Sequence, residues 1–257
     1  MNRTLHPLDQ YLSHGHEIAR RAIRKLLIRP VIASVVSTSV EGEDNVTGLD
    51  GAYIVVGNHT SHLDAPMMFS LLPGHVTERL ATGAAADYFY RRRFISRITA
   101  LLFNTYPVER KGKAQAPLRG IKGQGSDERG RGPAAGMTGR LLRAGIPILI
   151  FPEGTRSRDG HMGTFKTGAA ALSMKLNVPM VPVALIGGHE AMPVGSFLPK
   201  AGRPRVKAVI GRPMTAHRDE SVEEFNDRVR LTVATMRATG HPAVIDHTDA
   251  KPDSGAA

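Results

Sequence analysis

The chain has 257 residues, of which 41% are hydrophobic and 22% charged, with a formal net charge of +11 and no cysteine. That is enough apolar chain for one large α/β domain or two small ones, and the lack of thiols excludes disulfides, a zinc ribbon and a cysteine nucleophile, as suits a reducing cytoplasm. The positive charge is localised, with six bases against two acids in residues 1–40 and eleven against three in residues 91–132. Such a surface suits anionic lipid or a phosphorylated substrate; with no Trp and few aromatics in the basic runs, nucleic acid is not an expected partner.

The first 25 residues contain no apolar stretch of the signal-peptide kind. Residues 14–38 read as a helix followed by an irregular apolar segment. Ile18, Ala22, Leu26 and Arg29 fall near one line at helical spacing, with Ile23 and Leu27 beside them and Arg20, Arg21, Arg24 and Lys25 along the border. A basic amphipathic helix of this kind either lies on a bilayer or packs on the domain, and both readings stay open. The apolar run 26–36 is too short to cross a membrane and is broken by Arg29 and Pro30.

Residues 41–50 form an acidic loop. Tyr53-Ile54-Val55-Val56 is a β-branched run of strand length, ending at Gly57-Asn58. A helix over 66–72 follows, with Pro66 in its first turn, and stops at Pro73-Gly74. A short strand is expected over 76–82, a helix from Arg91 with Phe94, Ile98, Leu101 and Leu102 on its apolar side, and a strand over 103–108. Residues 111–136 read as a mobile basic loop. Within it, Gly130-Arg-Gly132-Pro-Ala-Ala135 matches a dinucleotide fingerprint in form only, since no strand precedes it.

Beyond the loop the pattern predicts a helix over 137–144, a buried strand over 146–151, a helix over 166–176 and a strand over 178–186. The prolines of that last strand place it at an edge or in an irregular ladder. A strand over 205–210 follows. Ser221-Val-Glu-Glu224 is a capping box opening a helix that buries Val222, Phe225, Val229, Val233 and Met236. The polar tail 241–257 is expected to be disordered. Strands alternating with helices imply an α/β fold. The expected organisation is a single layered domain over 41–240, with a largely parallel, partly mixed sheet flanked by helices, preceded by the basic amphipathic segment 1–40.

Two strands end in polar corners, one at Asn58-His59 and one at Pro152-Glu-Gly-Thr-Arg156. Parallel strands end at one edge of a sheet, where ligands bind, so His59, Asp64, Glu153 and Arg156 are expected in one cleft. Histidine is the usual general base near neutral pH, and a carboxylate on its second nitrogen fixes the tautomer. With no Gly-x-Ser-x-Gly elbow and no P-loop in the chain, such a base would act on an acceptor hydroxyl directly. Arg156 offers a planar fork suited to phosphate, and Gly154 lets the backbone approach a ligand closely.

These residues also carry a resemblance. Asn58-His59-Thr-Ser61-His-Leu-Asp64 is similar to the His-x4-Asp block of the glycerolipid acyltransferases, and Phe151-Pro-Glu-Gly-Thr-Arg-Ser157 resembles the second hallmark block of that family. Phe165-Lys166-x-Gly168 and Val178-Pro-Met-Val-Pro-Val-Ala184 resemble the blocks that usually follow, and Tyr106-Pro-Val-Glu-Arg110 the segment that ends in a phosphate-contacting Arg. Order and spacing agree over roughly residues 50–215, with the nearest likeness to 1-acyl-glycerol-3-phosphate acyltransferases of the bacterial type. The resemblance implies transfer of a fatty acyl group from acyl-CoA or an acyl-carrier protein to the hydroxyl of 1-acyl-glycerol-3-phosphate, giving phosphatidic acid. Another lysophospholipid or glycerol-3-phosphate is the alternative acceptor. It further implies His59 as base and Asp64 as its orienting partner, with Glu153, Gly154, Thr155, Arg156 and Arg110 binding the acceptor. No metal and no cofactor beyond the acyl thioester is implied. The expected place is peripheral, on the cytoplasmic face of the cell membrane, against an anionic membrane surface.

Each residue also has a plainer reading. Asp64 is well placed as a helix N-cap before Pro66. His62 is a rival base, since it too lies near Asp64, although the block pattern favours His59. Glu153 could serve only as an ion-pair partner of Arg156, and Lys166 only as a solvated helix-start residue. A different class is also open: His59-x2-His62-x-Asp64 resembles the ligand cluster of a metal-dependent hydrolase, although His75, His161 and His189 sit in no comparable motif. A non-catalytic lipid-surface protein is the third class.

Overall fold

Three apolar runs meet side by side at the middle of a sheet. The structure, a computed structural model, describes residues 11, 13–85, 103–108, 136–196 and 198–243. Its strands are β1 (Ser37–Glu41), β2 (Ile54–Gly57), β3 (Ala81–Ala85), β4 (Thr105–Val108), β5 (Ile148–Ile150), β6 (Met180–Ile186) and β7 (Arg205–Ile210). They form one seven-stranded sheet in the order β1-β7-β6-β2-β5-β3-β4. Every neighbouring pair is parallel except β6 and β7. In register, Val55 of β2 stands beside Leu149 of β5 and Val181 of β6, so these three strands end at the same edge.

The apolar runs are continuous because both faces of the sheet are covered. Alternate residues go to opposite faces. Val55, Leu149, Val181 and Val183 pack with Met67, Met68, Phe69 and Leu72 from helix α3 (Asp64–Leu71) and its C-cap. Ile54, Val56, Ile148 and Met180 pack with α5 (Met137–Arg143), α6 (Gly168–Leu176) and α8 (Val222–Thr239), through Leu141, Leu142, Ala170, Phe225 and Val229. Fully burying each large apolar side chain contributes roughly 1.5–3 kcal/mol, so the corner between β2 and α3 is anchored by core on both sides. The Ser221 capping box is formed: Glu224 N–H donates to Ser221 Oγ at 3.2 Å, and Ser221 N–H donates to Glu224 Oε2 at 2.8 Å. Phe225, Val229, Val233 and Met236 of this helix are buried, whereas Val222 is half-buried.

Three expectations are corrected. The short strand read over 76–82 is instead a helical turn, α4 (Gly74–Thr77), followed by β3. Val76 and Leu80 are buried by packing, and the Val76 carbonyl accepts from Tyr53 Oη at 2.7 Å, not from a ladder. The proline-bearing strand β6 lies inside the sheet, between β7 and β2, so the edge reading is corrected and the irregular ladder is the alternative that holds. Pro182 is tolerated there because its carbonyl, and with it its missing N–H, faces the β7 side. There the antiparallel ladder has ended at Ile210 and Gly211 N–H donates to Pro182 O at 2.8 Å.

The third correction concerns the N-terminal segment. From His14 to Val35 it is helical, as α1 (His14–Ile23), a π-helical turn over Arg24–Ile28, and α2 (Arg29–Val35), so the irregular stretch expected after the first helix is itself helix. The widened turn lies directly ahead of Pro30, where the missing N–H and the ring interrupt a regular ladder. One extra residue rotates the following face by about 100°, which breaks the stripe read at regular spacing. Arg20 and Arg24 face the protein, while Ile18, Leu26, Leu27 and Val31 are exposed. The Arg24 guanidinium lies 4.7 Å from the Phe69 ring centroid, and Arg20 Nη1 donates to Asn104 Oδ1 at 3.3 Å. Burial pulls Arg24 down to about 10. Among the described residues, no helix is long and apolar enough to cross a membrane. The helix expected from Arg91, nearly all of the basic loop, Arg110, and the tail beyond residue 243 lie outside the described residues.

Candidate active site

The first corner is built from Gly57 to Asp64, between β2 and α3. A Cβ on Gly57 would displace the end of the Met68 side chain and stand 3.0 Å from Val183 O, so the backbone here is closely packed against α3 and β6. Asn58 is fully buried and bridges to β6. Its Nδ2 donates to Leu185 O at 2.9 Å, and Leu185 N–H donates to its Oδ1 at 2.8 Å. The side chain thus completes the ladder at the strand end and fixes the direction in which the next residue leaves.

That residue is His59, whose ring Nδ1 lies 2.9 Å from Asp64 Oδ2. The five-residue separation closes because the chain turns between strand and helix. Asp64 is fully buried, and the same oxygen also accepts from Thr60 N–H at 2.6 Å and Ser61 N–H at 2.8 Å. The plainer N-cap reading does not describe this geometry: Leu63 holds the cap position without a side-chain cap bond, and the Asp64 carboxylate turns back over the corner. Its place in the first turn of α3 is favourable for a negative charge. Ser61 secures the turn from outside, its hydroxyl donating to Met192 O at 2.8 Å and accepting from Leu63 N–H at 3.1 Å.

The second corner, after β5, clasps the first. Phe151 stacks on the His59 ring with centroids 4.2 Å apart and planes inclined by 15°. Glu153 accepts from His59 N–H through Oε1 at 2.7 Å and from Gly163 N–H through Oε2 at 2.8 Å. Ser157 N–H donates to His59 O at 2.9 Å. Both backbone groups of His59 are therefore held by this corner. Burial pushes the Glu153 carboxyl above the ordinary carboxylate range, and the two N–H donors only partly offset that. Both oxygens face the backbone of the corner, and Glu153 makes no ion pair with Arg156.

Gly154 has φ +72, and a Cβ there would meet Lys166 Nζ at 2.5 Å, so the chain needs glycine at this bend. Arg156 Nη1 lies against the ring of His62, with Nε2 at 2.7 Å. Burial and the Arg156 charge hold His62 below its ordinary value. A cavity of about 540 Å³ opens beside the loop, lined by Glu153, Thr155, Ser157, Asp159, His161 and Lys166, among others. His59, Asp64, Glu153 and, through His62, Arg156 are thus gathered at one edge, with Gly154 and Thr155 between them. Asn58 and Phe151 stand in the blocks read from sequence, but residue type alone does not reveal their bonds. The contact of His62 with Arg156 has no sequence signal, because 94 residues separate them. Among the described residues, no group of three or more His, Cys, Asp and Glu side chains converges as a metal-ligand set.

The profile of the family described as Acyltransferase matches residues 37–186, a span that holds both corners. The chain belongs to the acyltransferase family. Among the relatives of this acyltransferase-family chain is a chloroplastic 1-acyl-sn-glycerol-3-phosphate acyltransferase BAT2 of Brassica napus, 27% identical over 188 residues, which are 73% of this chain and 47% of that protein. A 1-acyl-sn-glycerol-3-phosphate acyltransferase of Pseudomonas aeruginosa is 36% identical over 107 residues, 39% of each chain. The chain spans about half the length of the curated relatives it matches. Its fold is that of the 1-acyl-sn-glycerophosphate acyltransferase PlsC of Thermotoga maritima, with a TM-score of 0.63 at 23% identity, covering 90% of this chain and 85% of the other.

Proposed function

We propose that this chain transfers a fatty acyl group from the thioester of acyl-CoA or an acyl-carrier protein to the free hydroxyl of 1-acyl-glycerol-3-phosphate. The observation that carries this reading is the His59 Nδ1 to Asp64 Oδ2 contact, made by a carboxylate that also accepts two backbone N–H bonds. Asp64 holds the proton on Nδ1, which leaves Nε2 as the base. His59 Nε2 takes the proton of the acceptor hydroxyl as its oxygen attacks the thioester carbonyl. The tetrahedral adduct collapses as its C–S bond breaks, and the imidazolium returns the proton to the departing thiolate. The reaction so written needs no cofactor and no metal. Arg156, for which no carboxylate partner is found among the described residues, supplies charge for the acceptor phosphate. Glu153 positions His59, accepting its backbone N–H while the other oxygen accepts from Gly163 N–H.

The family membership and the names of the relatives support the lysophosphatidate reading of the acceptor. The exposed Ile18, Leu26, Leu27 and Val31 of the N-terminal helix support a peripheral place on a membrane, where the apolar face would enter the acyl boundary. The test is an assay of the purified protein with acyl-CoA and with acyl-carrier protein as donors. Lysophosphatidate, glycerol-3-phosphate and other lysophospholipids serve as acceptors, and products are identified by mass. Lysophosphatidate is expected to give phosphatidate, and His59→Ala to lower turnover by roughly a hundredfold to ten-thousandfold. Turnover retained by that variant would refute His59 as the base.

A further inference from the structure

We infer that the cavity beside the second corner seats the phosphopantetheine arm shared by acyl-CoA and acyl-carrier protein, with Lys166 as the cation for its phosphate. The inference rests on the acyl-transfer reading above. It gives the donor a place and gives a role to Lys166, which that reading leaves unused.

Three observations carry it. The first is where the cavity lies. Its space of about 540 Å³ is walled by Glu153 and Ser157, the residues that hold the backbone N–H and carbonyl of His59, so it abuts the base. Thr155 and Ser157 are walls, whereas Arg156 between them is not. The cavity is therefore set apart from the charge assigned to the acceptor phosphate. The second is how Lys166 is held. Its N–H donates to Pro152 O at 3.0 Å, next to the buried Phe165. A Cβ on Gly154 would stand 2.5 Å from Lys166 Nζ, 3.2 Å from Cε and 3.5 Å from Cδ, so the lysine stem lies across the bare bend of the corner. Lys166 has no carboxylate partner among the described residues. The third is which polar walls are open. Asp159 Oδ1 already accepts from Ser157 Oγ at 2.6 Å and His161 N–H at 3.0 Å. The hydroxyls of Thr155 and Thr164 make no hydrogen bond among the described residues, so they face the space without a partner.

The chemistry of the walls selects the ligand. Glu153 and Asp159 against one lysine disfavour the doubly charged phosphate monoester of an acceptor. They suit an arm that is neutral over most of its length. The pantetheine chain carries two amides and a hydroxyl, which can exchange hydrogen bonds with threonine hydroxyls and with carboxylate lone pairs. Its phosphate is esterified further in both donors and bears one charge, which one lysine matches. The space is within the range of about 300–1,000 Å³ usual for small-molecule sites. An arm seated here brings its thioester end toward His59 along the wall formed by Glu153 and Ser157.

The experiment compares wild type, Lys166→Gln, Lys166→Arg and Thr164→Leu on three donors: acyl-CoA, acyl-carrier protein and acyl-pantetheine, which lacks the phosphate. CoA binding without acyl transfer is followed by calorimetry. Lys166→Gln is expected to raise the KM of acyl-CoA and of acyl-carrier protein by roughly tenfold and to weaken CoA to match. The KM of acyl-pantetheine and of lysophosphatidate should stay as in wild type, and Lys166→Arg should restore the two phosphate-bearing donors. Thr164→Leu, which narrows the cavity, should raise the KM of all three donors and spare that of lysophosphatidate. The ratio of acyl-CoA to acyl-carrier protein turnover in wild type tells the two sources of the arm apart. A loss on acyl-CoA alone would place Lys166 at the nucleotide, and a loss on acyl-carrier protein alone would place it at the carrier's surface; either overturns the inference. A raised lysophosphatidate KM with unchanged donors would give the cavity to the acceptor and overturn it as well. CoA binding that depends on Lys166, without acyl transfer to any hydroxyl acceptor, would overturn the transfer reading and leave the seat for the arm standing.

Discussion

Asp64 Oδ1 occupies the space that a side chain on Gly188 would need: a Cβ there would stand 2.9 Å from it. This oxygen is buried and accepts no hydrogen bond among the described residues, whose three donors go to Oδ2. The carboxylate is thus fixed on one side by N–H groups and on the other by the bare α-carbon that opens α7 (Gly188–Ala191).

Gly188→Ala should therefore impair catalysis while sparing the fold. Gly188 is not among the residues with positive φ, so alanine meets no backbone strain, and in a helix it is favoured over glycine by up to about 1 kcal/mol. The added methyl pushes the Asp64 carboxylate off His59, and a misplacement of a few tenths of an ångström in such a pair costs on the order of tenfold to a hundredfold in kcat. The check is kcat beside Tm. Unchanged kcat, or a loss matched by a collapse in Tm, would show that Gly188 does not position the pair.

Glu153 gives a pH-dependent prediction. Its folded-state value is raised above the ordinary 4.5 by burial. The stability it contributes is therefore fully present below the unfolded value and is lost as pH rises through the folded value. Wild type should gain stability relative to Glu153→Gln as pH is lowered from neutral through that window, as measured by urea unfolding at several pH values. At neutral pH the amide of Glu153→Gln can accept only one of the two N–H bonds and turns its NH₂ toward the other, so turnover should fall roughly tenfold or more. A stability difference that does not change with pH would show that Glu153 is not held above its ordinary value.

The sheet was legible from sequence where a strand is apolar over its whole length. The runs at 54–56 and 148–150 are covered on both faces, so residue type alone marks them. Pro182 misleads because a proline's cost depends on which neighbour its missing N–H faces, and that is set by where β7 ends. The N-terminal stripe misleads because the periodicity assumes 3.6 residues per turn through Arg24–Ile28, where the helix is π. The pairing of His59 with Asp64 was readable from spacing, since both lie in one corner. The bonds of Glu153 to the His59 and Gly163 N–H groups were not readable, because no local pattern shows them.

The inverted N-terminal helix changes what membrane attachment should look like. Four bases border the stripe in sequence, but Arg20 and Arg24 are buried against the protein, which leaves Arg21 and Lys25 exposed on that stretch beside Ile18, Leu26, Leu27 and Val31. The apolar term should then outweigh the ionic one, since a fully buried Leu contributes roughly 1.5–3 kcal/mol against about 1 kcal/mol for each base near an anionic surface. Leu26 and Leu27 are 75% and 55% exposed, so the double substitution Leu26→Glu, Leu27→Glu removes little packing and should leave Tm nearly unchanged. It should weaken sedimentation with anionic vesicles by roughly a hundredfold or more, whereas high salt on wild type should weaken it far less. Binding abolished by salt but indifferent to the double substitution would assign attachment to charge and leave the exposed leucines without that role.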